Sequence, residues 1–451
     1  MIAKGLYFNK SFYLKGGAEG RLEELKSNLT TTDTVQELQG KLYQKAKSNV
    51  GFRFYALYDK VYRTDVLSKA WERVKDNKGA SGVDGQTFED IEAMGIGKFL
   101  NGIQQELKAK IYRPQPARRV YIPKPDGTKR PLSIPTIKDR VVQSALKLII
   151  EPIFEADFED CSYGFRPKRS ARQAALEVRK LLNFGYKEVI ETDIEDCFSS
   201  IPHRELLDML AKRVVDGKIL WLIKLFLEAG IMDGLERWTD IKGTPQGGVI
   251  SPLLANIYLN NIDKGWKPLN NCARLIRYAD DLVIMTKYHS EETMAKLKEI
   301  VTHLKLRLKQ GKTRILNAED EPFDFLGFTF IKALKRGSKD KRITYFYPSH
   351  KAENAIRRKI RQIVDYRRPA KVEQLVKELT PVLRGWVNYF RIANSSKKFG
   401  KVRFYVAQRI RKFMRRRRQK AGYGYKQYPD TFLYPKLGLY NDYRVCWAKA
   451  S

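Results

Sequence analysis

The chain has 451 residues, enough for about two to four compact units. Lys and Arg outnumber Asp and Glu by 86 to 51, and a net charge of +35 calls for a polyanion, most simply a nucleic acid. No apolar run is long enough to span a bilayer and none near the N-terminus forms a signal-peptide core, which argues against a membrane protein. Cys161, Cys197, Cys272 and Cys446 lack metal-ligand spacing and the four histidines form no close pair, which argues against a zinc or His-based centre and for a reducing compartment.

Residues 1–20 show no clear period and read as an irregular extension. Val66, Leu67, Ala70, Trp71 and Val74 then recur at helical spacing behind Thr64 and Asp65, which suit an N-cap. The glycine-rich stretch 77–85 lacks the spacing of a phosphate-binding Walker loop and reads as a turn needing positive φ. Residues 113–135 read as two extended segments around the turn Pro125-Asp126-Gly127, with prolines that suit a sheet edge. This ribbon carries Lys124, Lys129 and Arg130, which can grip a triphosphate or simply face solvent. Asp139 opens an apolar helix that Pro152 is expected to close. Residues 162–170, with Arg166 among them, alternate aromatic and basic side chains in a way that suits backbone contact and base stacking.

Residues 189–198 read as a strand running into a turn, with Asp193 at the strand's end. Glu191, Asp193, Glu195 and Asp196 crowd together in a very basic chain, and a bound cation is the simplest way to stabilise them. Two helices of core-packing pattern follow over 204–230. The glycines beside Gln246 allow a base or sugar to approach the backbone, and Ser251-Pro252 suit an N-cap and first helical position. Residues 274–285 place apolar runs on both sides of Tyr278-Ala279-Asp280-Asp281, a β-hairpin with two carboxylates at its tip. Adjacent acids are common on surface turns; the second acidic centre at Asp193 changes the weighing. Three carboxylates brought together can hold two Mg²⁺ ions for in-line phosphoryl transfer. Lys124 and Arg130 are then candidates for the incoming triphosphate, and Phe198 for packing on its sugar and rejecting a 2′-hydroxyl.

Residues 324–330 read as one strand, with Gly327 at a bulge or close contact. Beyond residue 350 helices dominate: Leu375, Leu379, Val382, Leu383, Trp386 and Phe390 share a face, with a restart expected at Pro381. Residues 391–426 contain no acid, and Val402, Val406, Ile410 and Phe413 form a docking stripe on an arginine-rich helix. That leaves Arg409, Arg411, Arg415, Arg416, Arg417 and Arg418 for a polyanion.

Taken in order, these blocks resemble the group II intron-encoded reverse transcriptases, also called maturases. The resemblance rests on Lys78-Gly79-Ala80-Ser81-Gly82-Val83-Asp84-Gly85, residues 122–135, Gly164-Phe165-Arg166-Pro167, residues 193–201, Pro245-Gln246-Gly247-Gly248, Ser251-Pro252-Leu253-Leu254-Ala255-Asn256, Tyr278-Ala279-Asp280-Asp281, Lys312-Thr313, Phe325-Leu326-Gly327-Phe328 and Leu383-Arg384-Gly385-Trp386-Val387-Asn388-Tyr389-Phe390. It implies an α+β fold, a right-hand polymerase whose fingers and palm carry an antiparallel sheet, followed by a helical thumb/maturase domain and a basic C-terminal region. The expected divisions are an N-terminal extension over 1–60, fingers over 61–180, palm over 181–335 interleaved with the fingers, thumb/maturase over 336–395 and a DNA-binding-like region over 396–451.

The resemblance implies that Asp193, Asp280 and Asp281 are catalytic and bind two Mg²⁺ ions, or Mn²⁺ in their place, together with the backbone carbonyl of Ile194. It puts Lys124, Arg130, Phe198 and Gln246 at the nucleotide, and Arg166, Lys312 and Trp386 at primer and template. The implied partners are a group II intron RNA, target DNA and dNTPs, in a bacterial cytoplasm near the nucleoid; oligomeric state is left open. The implied work is to help the intron splice and to copy it into DNA for retrohoming. Ser199, Ser133 and Gln310-Gly311 depart from the family's common residues, the last pair weakening the assignment of Lys312. Cys446 is the only cysteine after Cys272 and His350 the last histidine, so no C-terminal nuclease is expected and priming would use another nick or a replication fork. Three other readings stay open: an intron-independent reverse transcriptase in defence, diversification or repair, a splicing cofactor with a silent polymerase, and an RNA-copying RNA polymerase.

Overall fold

A computed structural model of the chain describes residues 22–123, 127–234, 236–238, 242–335 and 337–446. The extension over 1–20 and Lys124 therefore lie outside the described residues. The strands are β1 (Ala117–Pro123), β2 (Lys129–Ile134), β3 (Glu188–Asp193), β4 (Ile231–Asp233), β5 (Glu236–Trp238), β6 (Ala273–Tyr278), β7 (Asp281–Thr286), β8 (Arg314–Asn317), β9 (Phe323–Phe325), β10 (Phe328–Leu334) and β11 (Arg342–Pro348). They form three sheets, ordered β6-β7-β3-β8, β2-β1-β4-β5 and β11-β10-β9, among helices that dominate the C-terminal third.

The β6-β7-β3-β8 sheet is antiparallel throughout and lies between two cores. Ile190, Leu275, Leu282 and Ile284 enter one core, while Val189, Ile276, Val283, Met285 and Leu316 enter the other. Strands buried on both faces lose polar alternation, which is why residues 282–285 on β7 are apolar at every position. The first core is mostly helical, packed around the helix Ile137–Glu155, whose Val141, Val142, Ala145, Leu148 and Ile149 are fully buried. That helix starts two residues earlier than expected, capped by Thr136, whose side chain accepts from the Asp139 amide. It also runs through Pro152 instead of ending there. A proline removes the hydrogen bond to the carbonyl four residues back; here the Gln39 side-chain amide donates to the Leu148 carbonyl at 2.9 Å and makes good the loss. Gln39 belongs to the helix Leu22–Ser48, which no periodicity announced.

The second core joins the helix Ala171–Asn183 to the aromatic β11-β10-β9 sheet. Residues 324–330 prove to be two strands and not one: Leu326 and Gly327, at φ 50° and 80°, form the two-residue turn of a hairpin. The third core lies among the helices His350–Ile363, Val372–Phe390 and Ser396–Arg417. Pro381 sits inside the second of these without a restart. At the other sheet, β2 forms an edge, as its proline requires, and β1 pairs in parallel with β4. The β4–β5 hairpin, three residues per strand, was too short to show a pattern. Among the described residues no helix is long and apolar enough to cross a membrane.

Candidate active site

The two acidic centres meet on the β6-β7-β3-β8 sheet. Asp193 ends β3, Asp281 begins β7, and the two are register partners across the ladder. Directly opposed side chains share a face with Cβ atoms roughly 4.5–5.5 Å apart. Asp280 occupies the turn between β6 and β7, beside Ala279 at φ 58°. The Ile194 amide donates to the Asp280 carbonyl at 3.1 Å, and the Lys309 amide to the Asp193 carbonyl at 2.8 Å. Strand end, hairpin turn and the 309–313 segment are thus tied together at one point.

Asp193 is only 8% exposed. Its Oδ2 accepts from the Lys312 ammonium at 2.5 Å, while its Oδ1 is buried without a hydrogen-bond partner. A carboxylate with one oxygen on a cation and the other unsatisfied fits a divalent ion. Among the described residues no three His, Cys, Asp or Glu side chains are gathered closely enough to hold a metal ion by themselves.

Phe198 lies on the short helix Cys197–Ser200, reached through Asp196 in the left-handed region, φ 41°. It lines a small hollow with Phe165, Ala279 and Asp280, next to the carboxylates. The Thr244 amide donates to the Phe198 carbonyl at 2.6 Å, bringing the 243–248 turn alongside. Gln246 accepts from the Ser133 amide at 2.6 Å through its own carbonyl, which docks this turn on β2. A shallow groove lies beside this junction, lined by Arg119, Pro131, Ser133, Lys242 and Gln246. Arg130 is half-buried on β2, opposite Ile122.

Two glycine-rich stretches serve contacts within the chain. A Cβ on Gly247 would stand 3.0 Å from Leu132, and one on Gly248 would stand 2.6 Å from the Ser251 hydroxyl. What approaches Gly247 so closely is β2, where the sequence had suggested a base or sugar. In the 77–85 stretch positive φ falls on Lys78 and Gly85, whereas Gly82 is needed because a Cβ would meet the Thr136 backbone at 2.6 Å.

Several basic residues assigned to nucleic acid are turned inward. Arg166 is 7% exposed; its guanidinium binds both Glu155 oxygens and the carbonyls of Glu159 and Ser162. It holds the loop together and offers no free fork to a template. Arg411, 4% exposed, is committed to the Tyr428 carbonyl and Asp430. Arg409 donates to the Val364 carbonyl and Arg415 to that of Ala421. Arg416, Arg417 and Arg418 are exposed, although Arg417 also donates to the Ala370 carbonyl at 2.6 Å and Arg416 lies 4.6 Å from the Tyr366 ring centre. Trp386 is half-buried and packs on Phe390 and Phe399 of the second core. The sequence reading also passed over a fully buried ion pair, Arg277 with Asp263, directly behind the hairpin turn. Its only signal was an arginine at the end of an apolar strand and an acid in an apolar helix.

Residues 122–330 match the reverse transcriptase (RNA-dependent DNA polymerase) family, and residues 354–428 the group II intron maturase-specific domain. The chain is 34% identical to Protein YkfC of Escherichia coli over 365 residues, 71% of this chain and 94% of that protein. The chain belongs to the group II intron reverse transcriptase/maturase family. It is an RNA-directed DNA polymerase with a domain that assists intron splicing, and its family works with divalent metal ions. It is 38% identical to the group II intron-encoded protein LtrA of Lactococcus lactis over 227 residues, half of this chain and 37% of LtrA. It is 26% identical to an uncharacterized 91 kDa protein in the cob intron of Schizosaccharomyces pombe over 432 residues, 77% of this chain and 52% of that protein. The match therefore spans less than two thirds of these last two relatives.

Proposed function

We propose that Asp193, Asp280 and Asp281 bind two Mg²⁺ ions and join dNTPs to a primer on an RNA template. The observation that carries this is the register pairing of Asp193 with Asp281, with Asp280 in the adjoining turn. Bound there, divalent ions supply activation of the primer hydroxyl and neutralisation of the leaving pyrophosphate. The protein's share is positioning. The sheet fixes the Asp193 and Asp281 backbones, and the Ile194 amide fixes the Asp280 peptide. Phe198, at the same hollow as Asp280, is the surface against which the sugar packs. Arg130 on β2 takes the triphosphate together with Lys124, Gln246 contacts the nucleotide, and Lys312 supports the primer end.

In this reading residues 61–180 act as fingers, 181–335 as palm and 336–395 as thumb/maturase. The basic region 396–451 contacts target DNA, and the bound template is the chain's own intron RNA, copied for retrohoming. The proposed setting is the bacterial cytoplasm near the nucleoid, where a chain of net charge +35 meets both nucleic acids.

The test is primer extension on an RNA template in Mg²⁺, comparing wild type with Asp280→Asn. Extension with dNTPs should fall by roughly 100-fold or more, the scale of removing one group that stabilises developing charge. Tight, salt-sensitive RNA binding without extension by wild type would instead mark a maturase with a silent polymerase site. Equal use of rNTPs would remove Phe198 as the sugar gate.

A further inference from the structure

The turn that carries Asp280 is braced from behind. Arg277 on β6 and Asp263 on the helix Ser251–Trp266 are both buried with 0% side-chain exposure. The guanidinium donates to the two Asp263 oxygens at 2.8 and 2.5 Å, to Asn256 Oδ1 at 3.0 Å and to the Ala279 carbonyl at 3.2 Å. Asn256, 1% exposed, donates to the Gly164 carbonyl at 2.8 Å. Gly164 lies flat against the turn, where a Cβ would stand 3.0 Å from the Tyr278 carbonyl carbon and 3.1 Å from Ala279 Cα. Ala279 itself is at φ 58°, a left-handed conformation that an alanine keeps only when its surroundings impose it.

We propose that Arg277, Asp263 and Asn256 are positioning residues for polymerisation, a buried clamp that fixes the Ala279 carbonyl and thereby the direction of the Asp280 carboxylate. Stability alone does not account for the clamp, because a well-packed apolar pair serves a core as well as a buried ion pair or better. An apolar pair lacks what this one supplies: a donor for the Ala279 carbonyl and for Asn256, which in turn holds Gly164 beneath the turn. Burial works to lower the Arg277 pKa, and the Asp263 charge and hydrogen bonds outweigh it, so the guanidinium stays charged and keeps all its donors. The inference rests on Asp280 being a metal-binding catalytic residue.

The experiment uses the full chain and compares Asn256→Ala with Tyr258→Phe. Tyr258 lies on the same helix, is 1% exposed and donates to the Leu304 carbonyl at 2.7 Å, away from the turn. Each variant loses buried hydrogen bonding, so a purely structural role predicts similar losses of melting temperature and activity. A positioning role predicts that Asn256→Ala alone lowers kcat about tenfold while dNTP KM moves less than about twofold. It also predicts that Mn²⁺ binding to the enzyme without substrate, read by electron paramagnetic resonance, weakens about tenfold in Asn256→Ala and not in Tyr258→Phe. If Asn256→Ala lacks a cooperative melt, Asp263→Glu, which keeps the charge but displaces the carboxylate, is judged against the same control and thresholds. Equal kcat and Mn²⁺ affinity in clamp variant and control would overturn the proposal. Asp280→Asn is assayed alongside: wild-type extension by that variant would refute the catalytic assignment itself.

Discussion

Breaking the Arg277–Asp263 pair from each side should give unequal losses. Both side chains are fully buried. Asp263→Leu leaves a buried guanidinium without its counter-charge, at a cost of about 3–5 kcal/mol. Set against a typical stability of about 5–15 kcal/mol, that brings the fold close to its threshold. Arg277→Met leaves a carboxyl group instead. An orphaned carboxylate can take up a proton and an orphaned guanidinium cannot. The loss in Arg277→Met should therefore be smaller than that in Asp263→Leu. The double variant places an apolar pair in the same space, a change that is about neutral or favourable by ~1–4 kcal/mol at other buried pairs. Against this stand Asn256 Oδ1 and the Ala279 carbonyl, each losing a donor at about 1–3 kcal/mol. At mid-range values the expected net loss in the double variant is about 2 kcal/mol, with a coupling between the sites of about 3 kcal/mol or more. Urea titrations followed by tryptophan fluorescence measure all four corners of the cycle. Additive single losses, or a loss under about 1 kcal/mol in Asp263→Leu, would refute the reasoning. The same double variant should be stable yet slow in extension, which separates the pair's two contributions.

The exposed Arg416, Arg417 and Arg418 should each contribute about one unit to the slope of log binding constant against log salt. Replacing all three by alanine should flatten the slope for intron RNA or DNA by about three. Arg411→Ala should leave the slope unchanged and cost about 1.5–3 kcal/mol of stability, since that side chain is spent on Asp430 and the Tyr428 carbonyl. The reverse pattern in a salt titration would sink the assignment of these arginines. A pH test addresses the helical region. Burial acts to raise the Glu353 pKa, but Lys398 at 2.7 Å and Arg357 at 2.8 Å prevail and hold it below its ordinary 4.5. The folded chain then binds this proton less readily than the unfolded one. Its stabilisation is fully present above about pH 4.5 and is lost as pH falls through the depressed folded value. Glu353→Gln should melt lower than wild type at pH 7 and converge with it at pH 3; a constant gap in melting temperature would count against the argument.

The periodic parts of this fold could be read from the chain: the helix Thr64–Asp76, the β6–β7 hairpin and the strand ending at Asp193 all came from spacing alone. The misses share a cause, a distant partner that overrides a local rule. Pro152 should end a helix, and does not: the Leu148 carbonyl it leaves open is served by Gln39, 109 positions before Leu148. Glycines that suggested a ligand at Gly247 answer to β2, more than a hundred positions earlier. At the Leu326-Gly327 turn the glycine was visible, but nothing marks a leucine for the left-handed region, and a hairpin passed for a strand. Arg166 shows the same reach across the chain, since a basic residue in an aromatic loop suggests a template contact and its guanidinium is held by Glu155.

The candidate site divides along the same line. Carboxylates announce themselves in a basic chain because their charge needs a local explanation. The residues that aim them do not, because Arg277, Asp263 and Asn256 cancel one another's polarity inside the core. Gly164 and Asn256 stand in separate blocks of the family resemblance, 92 positions apart, and meet in one hydrogen bond beneath the Asp280 turn. A block pattern can therefore record a contact network as readily as a set of ligand-binding residues. The two are told apart by what a substitution does: a ligand-binding residue changes affinity for its ligand directly, whereas a member of this network should change metal affinity and kcat through Asp280 while substrate affinity holds.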